Sequence, residues 1–416
     1  MATSILKRSA YVALALRRDP AAWAKTADVF AVLIALALPW STSLVSIFVA
    51  AWLVTVAPTL DVKLLIQSLK RPVCSFPIAL FALALVGTLW SDASWGVRLY
   101  AVGPTVKLLV LPVLIFHFER SLRGMWVFVA FLISCTLLMV MSWVVAYEPQ
   151  LAFKSGSDYG IPVKNYIDQS QEFALCAVAL AYPIVKLLAQ RRFAQAALLT
   201  AIGLSLVANM AFVIVSRTAL VTMPITLLVF ALLHLKWRDV AILLCTMIVF
   251  AGVTWAASPQ LRARTATLLT EYQRYKESNA PTSIGLRLEF WRKSLRFFIE
   301  APIIGHGTGS TRGLFEQAAS GQVGAAAEVI GNPHNQTLNV AVQWGLMGVI
   351  VLYAMWFAHL LMFRGDGLAT WIGLLVVVQN MFTSLFNSHL FDFHEGWMYV
   401  LGVGIAGGMT ISNRRD

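Results

Sequence analysis

The sequence predicts an all-α polytopic membrane protein of about twelve transmembrane helices with one long polar loop. Hydrophobic residues make up 59% of the 416 positions and charged residues 12%, and the mean hydropathy is +0.73. That is more apolar surface than a soluble core can hide. The apolar residues run continuously, as in "GMWVFVAFLISCTLLMVMSWVVAY" from Gly124 to Tyr147. Such a run crosses a bilayer as a helix, whereas a spanning barrel shows short alternating segments. Basic residues recur in every second connection, the pattern of cytoplasmic loops.

Taken in order, the N-terminal stretch "MATSILKRSAYVALALRRDPAAWAKTADVF" is basic and lacks a long apolar core with a small-residue cleavage site. It reads as a cytoplasmic interfacial segment rather than a cleaved signal. Apolar runs follow near 28–40, 43–58, 74–90, 103–118, 124–147, 169–189, 194–215, 217–234, 239–257, 336–362, 369–386 and 396–411. Several fall short of the ~20 residues of a full span, and the first two can also be drawn as one re-entrant pair. Lys63, Lys70 and Arg71, then Arg120 and Arg123, Arg191 and Arg192, Lys236 and Arg238, Arg364, and finally Arg414 and Arg415 all fall on the side of the N-terminus. Both termini are therefore expected in the cytoplasm. This bias accounts for much of the +12 net charge, which is not read as a nucleic-acid footprint. The four cysteines lie in or at the start of apolar runs without a CxxC pair, so neither a disulfide framework nor a thiolate metal site is expected.

The expected division is 1–257 with nine spans, 258–335 as one long outer loop, and 336–416 with three more spans. A loop of that length is where function is expected. The outer side also carries basic residues against the usual bias, among them Arg98, Lys154, Arg217, Arg287, Arg292, Arg296 and Arg312. Each alone is explained by lipid headgroups, snorkelling or helix salt bridges; together they suggest an anionic partner. In "GLRLEFWRKSLRFFIEAP" (Gly285 to Pro302), drawn as a helix, Glu289, Arg292, Lys293, Arg296 and Glu300 share one arc. There Glu289 can pair with Lys293. Arg287 falls on the opposite, apolar arc with Trp291 and Phe298, where a cation needs to snorkel or to meet an anion. The helix is expected at the outer interface, followed by "IIGHGTGS", whose glycines allow close backbone approach. Arg217 follows the N-cap candidate Ser216 and offers a planar fork suited to phosphate.

In "GNPHNQTLNVAVQWGLMG" Asn332 fits an N-cap and Pro333 the first helical position, which puts His334 in the first turn of a span. There the helix dipole would keep the imidazole neutral and able to accept a proton. A structural histidine satisfied by Asn335 or Asn339 is the plain alternative. His306, His334, His389 and His394 show no close zinc-ligand spacing, and the outer loops hold no clustered carboxylates for magnesium, so no metal and no cofactor is expected. Phosphate charge would then be met by arginine.

Three pieces in order, "SR" at Ser216 and Arg217, "RLEFW" with "PIIGHGTG" from Arg287 to Gly309, and "HNQTLNVAVQWGLMG" from His334 to Gly348, resemble the O-antigen ligase and O-antigen polymerase superfamily. The architecture resembles it over nearly the whole chain, the motifs over about 215–350. The resemblance implies a metal-independent glycosyltransferase with a membrane fold of the C type. It implies undecaprenyl-pyrophosphate-linked glycan as donor and, in the ligase branch, the lipid A core as acceptor at the periplasmic face of the inner membrane. The family's essential arginines and histidine map by motif onto Arg217, Arg287 and His334. Gln343 departs from it, where many relatives carry an acidic residue. Arg98, Lys154, Arg292, Arg296, Arg312 and Asn335 are secondary candidates for substrate contacts.

The chemistry of the residues agrees: inverting transfer needs a base for the acceptor hydroxyl, which a neutral His334 supplies, and positive charge on the departing pyrophosphate. No carboxylate pair favours a covalent intermediate. A polymerase or a protein O-oligosaccharyltransferase would share the donor and differ in acceptor. A transporter of lipid-linked glycan, the reading from a different class, would show internal repeats and midplane polar sites; here the polar residues gather at one interface.

Overall fold

The computed structural model describes residues 19–153, 159–214 and 216–415, apart from the side chains of Arg217, Leu220, Val221, Gln260 and Arg264. The interfacial segment read at the N-terminus therefore lies largely outside the described residues, as does Lys154. All regular structure among those described is helical.

The chain enters through α1 (Pro20–Ala37), α2 (Thr42–Val56), α3 (Val62–Leu69) and α4 (Pro72–Val86), then α5 (Trp95–Val106), α6 (Val110–Phe118) and α7 (Gly124–Tyr147). Next come α8 (Tyr166–Ala179), α9 (Ala181–Ala189), α10 (Phe193–Phe212), α11 (Arg217–His234) and α12 (Trp237–Ala257). The long loop folds into α13 (Pro259–Ser278), α14 (Ser283–Glu300) and α15 (Thr311–Ala319), and the chain closes with α16 (Gln336–Met362), α17 (Leu368–Thr383) and α18 (Phe393–Asn413). Each apolar run read from the sequence coincides with helix. Nine helices among the described residues are long and apolar enough to cross a membrane, and Thr222–His234 and Leu368–Thr383 are shorter apolar helices. The protein is a multi-pass membrane protein.

Side-chain caps explain eight of the starts: Asp19, Ser41, Asp61, Asn165, Ser216, Ser258, Thr282 and Asn335 each accept a hydrogen bond from a first-turn N–H. Packing joins α6 to α18, α17 to α18, α16 to α4 and α1 to α7. Around them lies one apolar core that includes Trp52, Phe118, Trp344, Trp371 and Tyr399. Cys74, Cys135, Cys176 and Cys245 are free thiols.

Several of the basic residues assigned to one side gather at one end of the bundle. Arg71 and Arg415 both bond the buried carboxylate of Glu119, at 2.8 and 2.5 Å. Arg123 lies 3.5 Å from Asp28, and Arg414 donates to the Met362 and Arg364 carbonyls. The starts of α16 and α18 lie at the other end of their helices, so the bundle has one arginine-rich end and one end that carries His334.

At the His334 end, α16 is broken. Gly345 has φ 58 and ψ −154 inside it, a conformation almost confined to glycine. The segment after α14 splints the break: His306 N–H donates to Val342 O at 2.9 Å and Gly307 N–H to Gln343 O at 2.8 Å, while Leu346 N–H donates to Pro302 O at 2.8 Å. The glycines of "IIGHGTGS" thus permit close approach to protein backbone, since a Cβ on Gly305 would sit 2.5 Å from the Gln343 carbonyl carbon and one on Gly307 2.6 Å from Ser91 Cα. Thr308 completes the joint by donating to Ala84 O at 2.6 Å and accepting from the Trp344 indole at 2.8 Å.

Two local expectations are corrected. The N-cap of α16 is Asn335, which accepts from Leu338 N–H at 3.0 Å, so Asn332 is not the cap and His334 precedes the helix instead of lying in its first turn. In α14, Glu289 and Lys293 are buried instead of solvated, because α13 and the turn at 324–327 cover that side. Glu289 accepts from Tyr275 and Arg292, and Lys293 donates to Ala326 O at 2.5 Å, so the Glu289–Lys293 pair does not form. Leu288, Leu295, Ile299, Ile303 and Ile304 form an exposed apolar edge beside Leu346, Met347 and Ile350 of α16.

Candidate active site around His334

His334 adopts φ 52, a left-handed conformation that a side chain enters at some cost. The turn that holds it is built from asparagines. Asn332 Oδ1 accepts from His334 N–H at 3.0 Å and from the Ser388 hydroxyl at 2.7 Å, and Asn332 Nδ2 donates to Asn387 Oδ1 at 3.2 Å. This Asx geometry offers the backbone a local partner in place of a helical one. It also ties the entry to α16 onto the 384–392 connection, which Gln336 reinforces by donating to Ser384 O and accepting from Leu390 N–H.

The orientation of the imidazole follows from its neighbours. Asn387 Nδ2 donates to the Asp392 carboxylate at 2.6 Å, which fixes the amide so that its oxygen faces His334 Nδ1 at 2.9 Å. An amide oxygen only accepts, so Nδ1 carries the proton and Nε2 keeps its lone pair. Phe290 of α14 stacks against the ring, 6.0 Å between centroids and 30° between planes. Burial, opposed by the Asn387 hydrogen bond and aided by the charge of Arg287, holds the imidazole below its ordinary 6.5. Neutrality at pH 7 was expected from a helix dipole; its causes here are desolvation and a neighbouring guanidinium. Replacing Asn387 with alanine frees the ring to turn, and a reaction that uses Nε2 should slow about 10²-fold, the scale of a small misplacement. Single-turnover rates check this, with unchanged rates showing that the ring is held without Asn387.

Arg287, half-buried on α14, lies near enough that its charge also depresses His389, which burial sends down to about 4. Arg287 of the sequence-predicted pair thus lies within electrostatic range of His334, and Phe290 on the same helix stacks on the ring. Arg217 opens α11 behind Ser216, whose hydroxyl caps Ala219 N–H at 3.5 Å; its side chain lies outside the described residues.

The secondary candidates are placed as follows. Arg98 donates to Ala93 O and Thr88 O and lies over the Trp95 ring at 4.7 Å, which commits it to its own turn. Arg292 bonds Glu289 at 2.5 Å, Arg296 lies 3.5 Å from Glu300, and Arg312 lies 2.9 Å from Glu316. Asn335 uses its oxygen as the cap and its Nδ2 on Leu385 O. Gln343 is buried between two partners, with Nε2 donating to Asn339 Oδ1 at 2.9 Å and Oε1 accepting from Gly309 N–H at 2.8 Å. An amide serves both directions at once, which a carboxylate does not.

Asn387 and Asp392 were missed in the sequence, and His389 was weighed there only as a metal ligand. The signal was "FNSHLFDFHE", ten residues at the gap between two apolar runs, six of which carry polar side chains.

Comparison with known proteins adds two findings. Residues 202–353 match the family model described as O-antigen ligase. A protein of Haemophilus influenzae described as uncharacterized is 37% identical over 78 residues, which is 18% of this chain and 20% of that protein; the chain spans about a fifth of that relative. Residues 202–353, which carry Arg217, Arg287 and His334, therefore match the O-antigen ligase family, as the three ordered motifs predict.

Proposed function

We propose that this protein is a metal-independent, inverting glycosyltransferase that moves a glycan from undecaprenyl pyrophosphate to the lipid A core saccharide, the O-antigen ligase reaction of lipopolysaccharide biosynthesis. The observation that carries the reading is the imidazole of His334, held neutral with a free Nε2 beside Arg287. Nε2 takes the proton of an acceptor hydroxyl as its oxygen attacks the anomeric carbon. The bond from that carbon to the pyrophosphate oxygen breaks, and Arg287 and Arg217 receive the charge that develops on the leaving group. Attack and departure occur on opposite faces of the sugar, so configuration inverts.

The domain plan belongs to the same proposal: 1–257 as transmembrane helices, 258–335 as a periplasmic catalytic loop, and 336–416 as the closing helices, in a C-type glycosyltransferase fold of the inner membrane. The arginine-rich end faces the cytoplasm with both termini, which matches the usual charge bias. The exposed apolar edge of α14 supports its placement at lipid level on the opposite side.

Polymerase members of the superfamily would use the same donor with a second lipid-linked repeat unit as acceptor. Purified protein given a lipid-linked glycan and, separately, each acceptor decides between them. Product with lipid A core in the presence of a chelator is the expected result. Product only with the repeat unit makes it a polymerase, and movement of the donor across vesicles without a new glycosidic bond makes it a transporter.

A further inference from the structure

Beside His334, on the far side of Asn387, the starts of α8 and α18 and the 387–392 turn enclose a cleft of about 310 Å³ lined by Asn165, Asp168, Asn387, His389, Phe393 and Glu395 among others. That volume is at the small end of the ~300–1,000 Å³ typical of small-molecule sites. The lining is unlike that of a packing defect. Asn165 donates to Asp168 at 2.9 Å, and Asp168 lies 3.5 Å from His394. His389 and Glu395, 1% and 6% exposed, each keep a buried polar atom, Nδ1 and Oε1, without a hydrogen-bond partner. Groups in that condition are costly unless a ligand or solvent satisfies them.

The chemistry of the wall limits the occupant. Three carboxyl groups, Asp168, Asp392 and Glu395, are met by two lysines, Lys164 against His394 and Lys107 on the Asp392 carbonyl, so the wall offers no surplus of positive charge to a phosphate, and so much polar surface opposes a hydrocarbon chain. Carboxyl, amide and imidazole groups on one side with the Phe393 ring beside them suit a molecule with hydroxyls along one edge and C–H groups on a face. Such a molecule is a sugar ring. Asn387 and Asp392 belong both to this wall and to the support of His334, so an occupant sits one amide away from the imidazole.

We infer that this cleft is a saccharide subsite that holds one sugar residue of a substrate next to His334. The inference rests on the glycosyl-transfer reading above, and the sugar belongs to either the acceptor or the donor. Two variants of the full chain in detergent test it. Asp168→Ala removes hydroxyl-binding capacity, and Ile167→Trp fills the cleft while leaving its polar groups in place. Each should raise KM about tenfold for one substrate only, the scale of a lost hydrogen bond to a charged group. A rise confined to the acceptor assigns the cleft to the acceptor, and a rise confined to the donor assigns it to the donor. Unchanged KM for both substrates in Ile167→Trp, with a wild-type melting temperature, overturns the subsite. If wild-type protein transfers nothing, the glycosyl-transfer reading fails, and the cleft is then judged by calorimetric titration with the free oligosaccharides. Binding that Ile167→Trp abolishes upholds the subsite, and no binding to wild type overturns it.

Discussion

His334→Ala should reduce transfer by about 10²- to 10⁴-fold, the range that a general base contributes. The protein should remain folded, because the ring is half-buried and the strained backbone is fixed by Asn332 through main-chain N–H, which alanine retains. The informative control is pH. The imidazole is depressed below 6.5 by burial and by Arg287, so wild-type activity should be flat near neutrality and fall as the pH drops through that lowered value. Stability moves the same way. A histidine whose folded-state value is depressed binds its proton more readily when unfolded, so stability is lost as the pH falls below 6.5. His389, at about 4, adds to this loss over the window between the two values. Arg287→Gln removes one cause of the depression and should shift the acid limb upward in kcat/KM. A limb that stays in place in Arg287→Gln would mean that the titrating base is some other group. Wild-type activity in His334→Ala would remove the base assignment altogether.

Gly345→Ala should destabilise the protein by about 3 kcal/mol or more. Two independent costs add: a left-handed φ of 58 with ψ −154, and a new Cβ placed 2.4 Å from Ile303 O. Neither relaxes cheaply, since the oxygen belongs to the backbone that splints α16. The expected signs are a lowered melting temperature in detergent and new proteolytic cuts near 302–309. A wild-type melting temperature would show that α16 can close its break without the neighbouring segment.

Much of this was legible in the sequence because the signals were local. Continuous apolar runs located the helices, and Ser216 announced the start of α11. Arg287 and His334 stood out as candidates because each is an odd residue in its setting, a cation on an apolar arc and an imidazole at a polar-to-apolar threshold. The cap at Asn335 was misread because Asn332 and Pro333 imitate the same signal; the left-handed turn at His334 consumes three residues that a direct helix start would not. Asn387 and Asp392 were out of reach for another reason. They act on a residue about fifty positions away, and only the pairing of the α16 entry with the turn before α18 makes them neighbours. The burial of Glu289 and Lys293 was hidden likewise, since an amphipathic pattern shows which arc is charged but not what covers it.

The splint across Gly345 bears on how a substrate arrives. Because residues 302–307 complete the hydrogen-bond ladder of α16, the end of α14 is spliced into a membrane helix and does not hang beside the site as a separable flap. Phe290, and with it the wall against His334, is then set before any substrate binds. The surface around the imidazole is preassembled, so whatever binds against it need not first organise the segment that forms its wall.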